Sequence, residues 1–391
     1  MKKLMSFKSS RRQCGITLVE LLIALALSLA VLVGLSSVYV AVKQSFRFQE
    51  NTGRLQEDAT FALDTMSREL RMAGFAGCAG INRVTVGATT TDYPDSVLSS
   101  GSPNTISGPN PLAQVETSNA AVTAQPFTPV NFIRGFDNVP SAMFASGSVP
   151  SSSGTDSLFF AGGSNTSVGL SAAMATASAP MAVASDPYNW RTPSGESHYM
   201  VVSDCISSSL FEGTVNSGGT SIAHDGGGNS TATFDTANFP TGYLFGTDAI
   251  VMLAQWNFFY VATRPGASTP SLYRVTFNGK TRSAAEEIVS NVESMQLHYG
   301  ENTAMDSLGF PTLVAENWRT TAATVTDWSR VVAVRVGLMM VSAEDNTSPD
   351  VVLTTPTLLG QAYTLPTGAS ANRLRKEFST TVVLRNRVAA R

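Results

Sequence analysis

The stretch that decides the fold lies near the amino terminus, where residues 14–24 read CGITLVELLIA. It opens an apolar run, Ile16 to Val42, that contains no proline and a single charged residue, Glu20. As a helix rising 1.5 Å per residue this run is about 40 Å long, which exceeds the roughly 30 Å hydrocarbon core of a bilayer. The sequence therefore predicts a membrane-spanning helix that carries one carboxylate near its start.

The charges that flank this apolar run are strongly one-sided. The first 15 residues contain five basic side chains and no acidic one: Lys2, Lys3, Lys8, Arg11 and Arg12. Because basic segments stay on the cytoplasmic side, we expect the amino terminus in the cytoplasm and the remainder in the periplasm. The whole chain has a formal net charge of -3. The part beyond the basic segment is therefore distinctly acidic, which disfavours nucleic acid as a partner.

Three simpler interpretations compete for this segment. A secretory signal peptide cleaved between Ala24 and Ala30 normally has a shorter apolar region and no carboxylate within it. A lipoprotein signal places its cysteine after the apolar run, whereas Cys14 precedes it. A plain membrane anchor leaves Glu20 unexplained, because a carboxylate at the centre of a spanning helix costs about 2.5–3.5 kcal/mol and less near its end. We therefore expect Glu20 to have an interaction partner.

The order of these features resembles the signal of type IV prepilins and pseudopilins. The basic leader (residues 1–15), Gly15, the segment Ile16–Leu21 and the apolar run follow that pattern, although most relatives have Phe where this chain has Ile16. The resemblance implies that a prepilin peptidase cleaves between Gly15 and Ile16 and N-methylates Ile16. It also implies that Glu20 pairs with the terminal amine of a neighbouring subunit, which offsets part of its desolvation.

The helical pattern continues beyond the transmembrane part, residues 16–42. Residues 43–73 place apolar or small side chains at steps of three and four, with charged side chains on the other faces. We predict that this amphipathic part packs on a globular head and ends near Gly74 and Gly77. The run from Arg54 to Cys78 resembles the same region of the PilW family of minor pilins. The predicted apolar stripe consists of Phe48, Thr52, Leu55, Ala59, Ala62, Met66, Leu70 and Ala73.

The remaining chain, residues 74–391, is predicted to form a β-rich head. The expected fold class is therefore α+β and pilin-like, a long amino-terminal helix packed on an antiparallel sheet. Two stretches rich in Ser, Gly and Thr, residues 86–155 and 163–240, are predicted to be long loops with β-insertions. Segments 272–274, 296–300 and 381–387 resemble pieces that recur in this order in PilW proteins. We predict strands at 157–160, 198–202, 249–254, 258–263, 272–277, 292–299, 331–341 and 378–384.

The chain has three cysteines, and cleavage after Gly15 removes Cys14 with the leader. Cys78 and Cys205 then remain as an even number in an oxidising compartment, so we predict that they form a disulfide. Two buried free thiols are the alternative. In the chain-entropy model, closing a loop of more than about a hundred residues contributes about 4–5 kcal/mol.

The sequence contains no pattern that predicts catalysis or a resident metal. His198, His224 and His298 lack the spacing of a zinc site, and the acidic cluster at residues 344–350 lacks the spacing of a calcium loop. Nucleophile-elbow, Walker A and His-Glu-x-x-His motifs do not occur. We therefore expect a non-enzymatic protein with no catalytic residues, no cofactor and no metal.

The resemblance implies a minor pilin of the type IV pilus, first held in inner-membrane lipid and later part of the pilus at the cell surface. Its expected partners, besides the prepilin peptidase, are other minor pilins, the major pilin and a PilY-type tip adhesin. Together they would form a priming complex at the tip that initiates assembly and supports adhesion or twitching motility.

Two alternatives stay open. One is a type II secretion pseudopilin of the J class, whose members are usually much shorter than this chain. The other is a head that itself binds surface ligands, for which an exposed aromatic cluster would be the sign. The four tryptophans are scattered along the sequence and do not decide this: Trp190, Trp256, Trp318 and Trp328.

Overall fold

The computed structural model shows one long helix followed by a head made of β-strands. The described residues are 17–77, 82–86, 89–93, 95–96, 132–137, 154–191, 195–225, 229, 234, 243–279, 281–302, 304, 314–345, 356–366 and 372–387. The chain divides into two compact units, residues 1–52 and residues 53–391.

The helix, α1, runs from Leu18 to Arg71 and is continuous over 54 residues. It contains no proline, and its two glycines, Gly34 and Gly53, have no neighbouring atom within 4 Å of the position that a Cβ would take. The predicted single helix is therefore confirmed.

In the unit that begins at Gly53, one face of α1 is buried against the head. Leu55, Ala59, Ala62, Met66 and Leu70 are each at most 2% exposed, and they follow one another at steps of three or four residues. This confirms the predicted apolar stripe from Leu55 onward. Phe48, which belongs to the other unit, is exposed.

The strands account for most of the described head. In chain order, they are β1 (Asn82–Val86), β2 (Thr89–Tyr93), β3 (Asp95–Ser96), β4 (Ile133–Phe136), β5 (Ser157–Gly169), β6 (Met181–Ala182), β7 (His198–Ser203), β8 (Ser208–Val215), β9 (Ser221–Ala223), β10 (Ile250–Ala262), β11 (Ser271–Asn278), β12 (Thr281–Arg282), β13 (Glu286–Ser290), β14 (Val292–Glu301), β15 (Asn317–Arg319), β16 (Val331–Val341), β17 (Thr357–Leu358), β18 (Gln361–Ala362) and β19 (Arg375–Val383). Short 3-10 helices lie at Ala322–Thr324, Trp328–Arg330 and Arg385–Arg387.

These strands form two principal sheets. The larger has eleven strands, β3 to β13, with β10 at its centre between β5 on one side and β7 and β11 on the other. The smaller has four strands in the order β15-β14-β16-β19. Pairing among the described strands is antiparallel except for the two-residue contact of β3 with β8. The α+β class, with one long helix and antiparallel sheets, is therefore confirmed.

Two predicted strands near the centre of the head prove to be one. Instead of breaking between 249–254 and 258–263, β10 continues through Gln255, Trp256 and Asn257, which pair with β5 and with β11 at the same time. Its partner β5 likewise runs past the predicted end at residue 160 to Gly169. A strand with neighbours on both edges keeps its backbone hydrogen-bonded across polar positions that look like a break in the sequence.

The stretch predicted as loops with β-insertions, residues 163–240, contributes to a second hydrophobic core. Phe211 and Phe234 meet edge to face with ring centroids 5.4 Å apart, and Phe234 meets Phe245 in the same way. The whole cluster comprises Val168, Leu170, Met174, Met181, Val183, Trp190, Met200, Val202, Phe211, Val215, Ile222, Phe234, Tyr243, Phe245, Ala249, Val251 and Leu253. Apolar residues are sparse along this stretch, but the strand pairing gathers most of them in this cluster, while Tyr199, Val201 and Leu210 belong to the other core cluster of the head.

Candidate functional site

The amino-terminal end of α1 is held by a side-chain cap. The backbone N–H of Glu20 donates to Thr17 Oγ1 at 3.3 Å, and the N–H of Leu21 donates to the Thr17 carbonyl at 3.1 Å. Thr17 and Glu20 have the Thr-x-x-Glu spacing of a capping box, and Glu20 lies in the first turn, where the helix dipole favours a carboxylate. Glu20 is exposed. The predicted cleavage residues Gly15 and Ile16 lie outside the described residues.

The helix that follows this cap exposes an apolar surface on all sides. Its large apolar side chains from Leu18 to Val42 are 46–73% exposed. The most apolar window of α1 has a mean hydropathy of 2.7, and the helix is long enough to cross a membrane. Because a helix that is apolar all round needs an apolar environment, this segment requires lipid or other helices around it.

In the head unit, the second half of α1 is tied to the sheet by a half-buried arginine. Arg274 of β11 binds Glu69 of α1, and its other terminal nitrogen lies 2.6 Å from Glu286 of β13. Burial raises the pKa of Glu69, and the positive charge of Arg274 opposes that rise. One cation thus joins the helix to two strands of the larger sheet.

The carboxyl-terminal end of α1 is capped by a residue from the end of the chain. The Asn386 side-chain amide donates to the carbonyls of Arg71 at 3.3 Å and Ala73 at 3.0 Å, which the helix itself leaves without donors. Gly74 then turns the chain with a positive φ of 76°, and a Cβ there would overlap the ring of Phe132.

Of the three segments that resemble PilW proteins, two therefore bond to the second half of α1, and the third lies in the same core cluster. Segment 272–274 supplies Arg274, and segment 381–387 supplies the Asn386 cap. Segment 296–300 supplies Leu297 and Tyr299, which lie in the core cluster that includes the buried face of α1. These pieces fix the helix to the head.

Of the predicted disulfide, only Cys205 lies among the described residues. It is disulfide-bonded and follows β7 by two residues. Cys78 lies outside the described residues, but Gly77 lies directly against the Ser203 side chain, since a Cβ on Gly77 would overlap it.

The three histidines, which were the remaining candidate residues, are all buried in the head. His224 lies 2.9 Å from the Ala179 carbonyl and packs against Phe234, while burial, together with Arg335, lowers the pKa of His298. His198 is buried on β7. No group of three potential metal ligands occurs among the described residues. Asn346 and Asp350 of the acidic cluster lie outside them.

The tryptophans are separated in space as well as in sequence. Trp190 lies in the second core, Trp256 lies in the first, and Trp328 packs edge to face on Tyr299 with centroids 4.9 Å apart. Trp318 lies under the guanidinium of Arg335, 4.5 Å from it. They do not form the exposed aromatic cluster that a ligand-binding head would need.

Two buried polar groups of the head were not predicted from the sequence. Glu293 of β14 and Arg375 of β19 form a two-pronged ion pair at 2.6 and 2.8 Å, which Tyr363 joins through a 3.0 Å hydrogen bond to Glu293. Asp156, just before β5, is 5% exposed and accepts a hydrogen bond from the N–H of Leu297. The sequence could have indicated that Glu293 needs a partner, because it is an acidic residue inside a strand that is otherwise mostly apolar.

Comparison with known proteins matches the two ends of the chain. Residues 258–386 match the family model described as Type IV Pilus-assembly protein W (PilW), and residues 10–36 match the prokaryotic N-terminal methylation motif. A solved structure of a type IV-like pilin from Thermus thermophilus is 15% identical, and the alignment covers 50% of this chain and 85% of that chain with a TM-score of 0.21. No curated protein matches the sequence significantly.

The capped apolar helix, the helix-on-sheet head and the methylation motif define a type IV pilin-like protein that is anchored in a membrane. The match of its carboxyl-terminal third to PilW supports the sequence-based recognition of a PilW-type minor pilin. The methylation motif implies processing by a prepilin peptidase, and the pilin class implies other pilins as partners. Both matches indicate a structural subunit.

Proposed function

We propose that the chain is cut between Gly15 and Ile16 by a prepilin peptidase, N-methylated on Ile16, and assembled into the priming complex at the pilus tip. The observation that carries this proposal is the start of α1. A Thr17 cap places Glu20 in the first turn, directly after the predicted cut and ahead of an exposed apolar helix.

We propose that Glu20 sets the axial register between neighbouring subunits during assembly. Cleavage would free a positively charged terminal amine four residues before it. In lipid, a carboxylate and an amine that are both removed from water each need an opposite charge, and a neighbouring subunit supplies one to the other. Pairing across subunits would therefore favour one axial position of each helix against the next.

We further propose that the amino terminus lies in the cytoplasm and the head in the periplasm, until assembly moves the chain into the pilus. The one-sided charge of the leader supports this orientation. Other minor pilins and the major pilin would contact the apolar helix, and a PilY-type adhesin would contact the head. The PilW match supports a pilus in preference to a secretion pseudopilus.

The processing step is tested by mass spectrometry of the protein from sheared pili. We expect an amino-terminal peptide that begins with N-methyl-Ile16. A peptide that contains Met1, or one that begins near Ala30, would overturn the processing proposal.

The assembly step is tested with Glu20→Gln, with Glu57→Gln as the matched control on the exposed surface of the same helix. We expect the Glu20 variant to be cleaved normally but to be lost from sheared pili, while the control variant is retained. Equal incorporation of both variants would contradict the role of Glu20, and it would leave the processing result unaffected.

We also propose that Cys205 is bonded to Cys78, an arrangement that the contact between Gly77 and Ser203 supports. The bond would tie the segment that follows α1 to the end of β7. Peptide mapping without reduction should yield a linked pair that contains both cysteines. Recovery of Cys78 as a free, alkylatable thiol in the folded protein would refute the pairing.

A further inference from the structure

We propose that the head contains a proton-linked latch between its two sheets. It is built from Asp156, Asp137 and Tyr299, and it holds the sheets together more firmly in mild acid than at neutral pH.

The latch lies where the larger sheet meets the smaller one. The backbone N–H of Asp156 donates to the Met295 carbonyl at 2.8 Å, and the N–H of Leu297 donates to Asp156 Oδ2 at 2.8 Å. Thr155 Oγ1 adds a contact to Met295 N at 2.9 Å. Thr155 and Asp156 lead into β5 of the larger sheet, whereas Met295 and Leu297 belong to β14 of the smaller sheet. The carboxyl of Asp156 is therefore part of the connection between the sheets.

The groups that surround this carboxyl include a buried phenol and a second carboxylate. Asp156 is 5% exposed, and the side chain of Tyr299 is completely buried with no hydrogen-bond partner for its hydroxyl among the described residues. Tyr299 packs against Gly135 of β4, where a Cβ would overlap its ring. Asp137, at the bend that follows β4, accepts the N–H groups of Ala322 at 2.8 Å and Ala323 at 3.1 Å.

Asp137, a second carboxylate on the β4 side, acts on Asp156, and Asp156 in turn acts on the phenol of Tyr299 on β14. Burial raises the pKa of Asp156 to about 7, the Leu297 N–H opposes this rise, and the charge of Asp137 adds to it. Burial, Asp156 and Asp137 all raise the pKa of Tyr299, so its hydroxyl stays neutral throughout the relevant range. The proton that the latch exchanges is therefore that of Asp156.

The sign of the pH effect follows from the two states of the chain. The folded head keeps the Asp156 proton up to about pH 7, whereas the unfolded chain loses it near the ordinary value of 3.8. Between these values the folded state binds more protons, so its stability falls as the pH rises, and it levels off above about pH 7. One proton corresponds to a change of up to about tenfold in the unfolding constant per pH unit.

The test is urea unfolding of the full chain in detergent, followed by tryptophan fluorescence between about pH 5 and about pH 8. Asp156→Asn keeps an acceptor for the Leu297 N–H but does not titrate. As the pH rises, we expect the unfolding constant of the wild type to increase more steeply than that of this variant. The difference should be up to about tenfold per pH unit. Other buried acids, such as Glu69, titrate in both proteins and cancel in the comparison.

Asp186→Asn is the matched control, because Asp186 also accepts two backbone N–H groups, those of Trp190 and Arg191, but is only half-buried. It should keep the pH slope of the wild type. A slope for Asp156→Asn that equals the wild-type slope would overturn the latch.

If Asp156→Asn does not fold, the Asp156 carboxyl is titrated directly in the wild type and in Asp137→Asn by carbon-13 NMR. We expect a midpoint near 7 in the wild type and a lower one once the neighbouring charge is gone. A wild-type midpoint near the ordinary aspartate value would refute the proposal.

Discussion

Glu293 and Arg375 form an ion pair that is almost entirely removed from water, with side chains 4% and 2% exposed. Replacing Arg375 with Met keeps much of the aliphatic volume but leaves the Glu293 carboxylate with Tyr363 as its remaining side-chain partner among the described residues. Without Arg375, the Glu293 carboxylate would stay excluded from water and would lose the opposite charge that compensates its desolvation. We therefore expect Arg375→Met to destabilise the head strongly.

The magnitude follows from the geometry of the pair. Two unit charges about 4 Å apart at an effective dielectric constant of about 20 attract each other by about 4 kcal/mol. The two short contacts at 2.6 and 2.8 Å add directional hydrogen bonding to that attraction. Breaking one partner of a buried pair typically costs about 3–5 kcal/mol, and we expect a loss in this range.

The assay is urea unfolding of the full chain in detergent, with the double variant Glu293→Gln/Arg375→Met as the decisive comparison. Gln keeps an acceptor for the Tyr363 hydroxyl but removes the buried charge, so the double variant should recover most of the loss. Arg330→Met is the control, since Arg330 lies 3.5 Å from Asp327 near the surface, where a pair contributes at most about 1 kcal/mol. A double variant no more stable than Arg375→Met would refute the reasoning.

Two further predictions concern the attachment of α1 to the head. Leu70→Ala should lower the free energy of unfolding by about 2–5 kcal/mol, because Leu70 is fully buried, whereas the exposed Phe61→Ala on the same helix should change it by about 0.5 kcal/mol or less. Equal effects of the two would contradict the packing. Asn386→Ala should cost about 1 kcal/mol and speed amide hydrogen exchange in the last turn of α1, while exposed Ser379→Ala should do neither. Unchanged exchange in the Asn386 variant would argue against the cap.

The helix and its signal could be predicted because their evidence is local. The basic leader, Gly15 and Glu20 lie within 20 residues, and the stripe from Leu55 to Leu70 follows the helical period itself. The strands of the carboxyl-terminal third were placed for the same reason, by runs of apolar residues. The boundaries of β5 and β10 were not, because these strands persist through polar and glycine positions only where neighbours supply hydrogen bonds on both edges.

By itself, then, the sequence determined the class of the protein: a helix long and apolar enough to cross a membrane, with one acid in its first turn, followed by an amphipathic half and a β-rich head. The tertiary structure alone decided which residues hold that helix in place and which residues join the two sheets. Arg274 meets Glu69 across 205 residues, Asn386 meets Arg71 across 315, and Asp156 meets Leu297 across 141. Periodicity reports the face that an element buries, but the pairing of two distant polar groups depends on how sheets stack, and no local pattern encodes that.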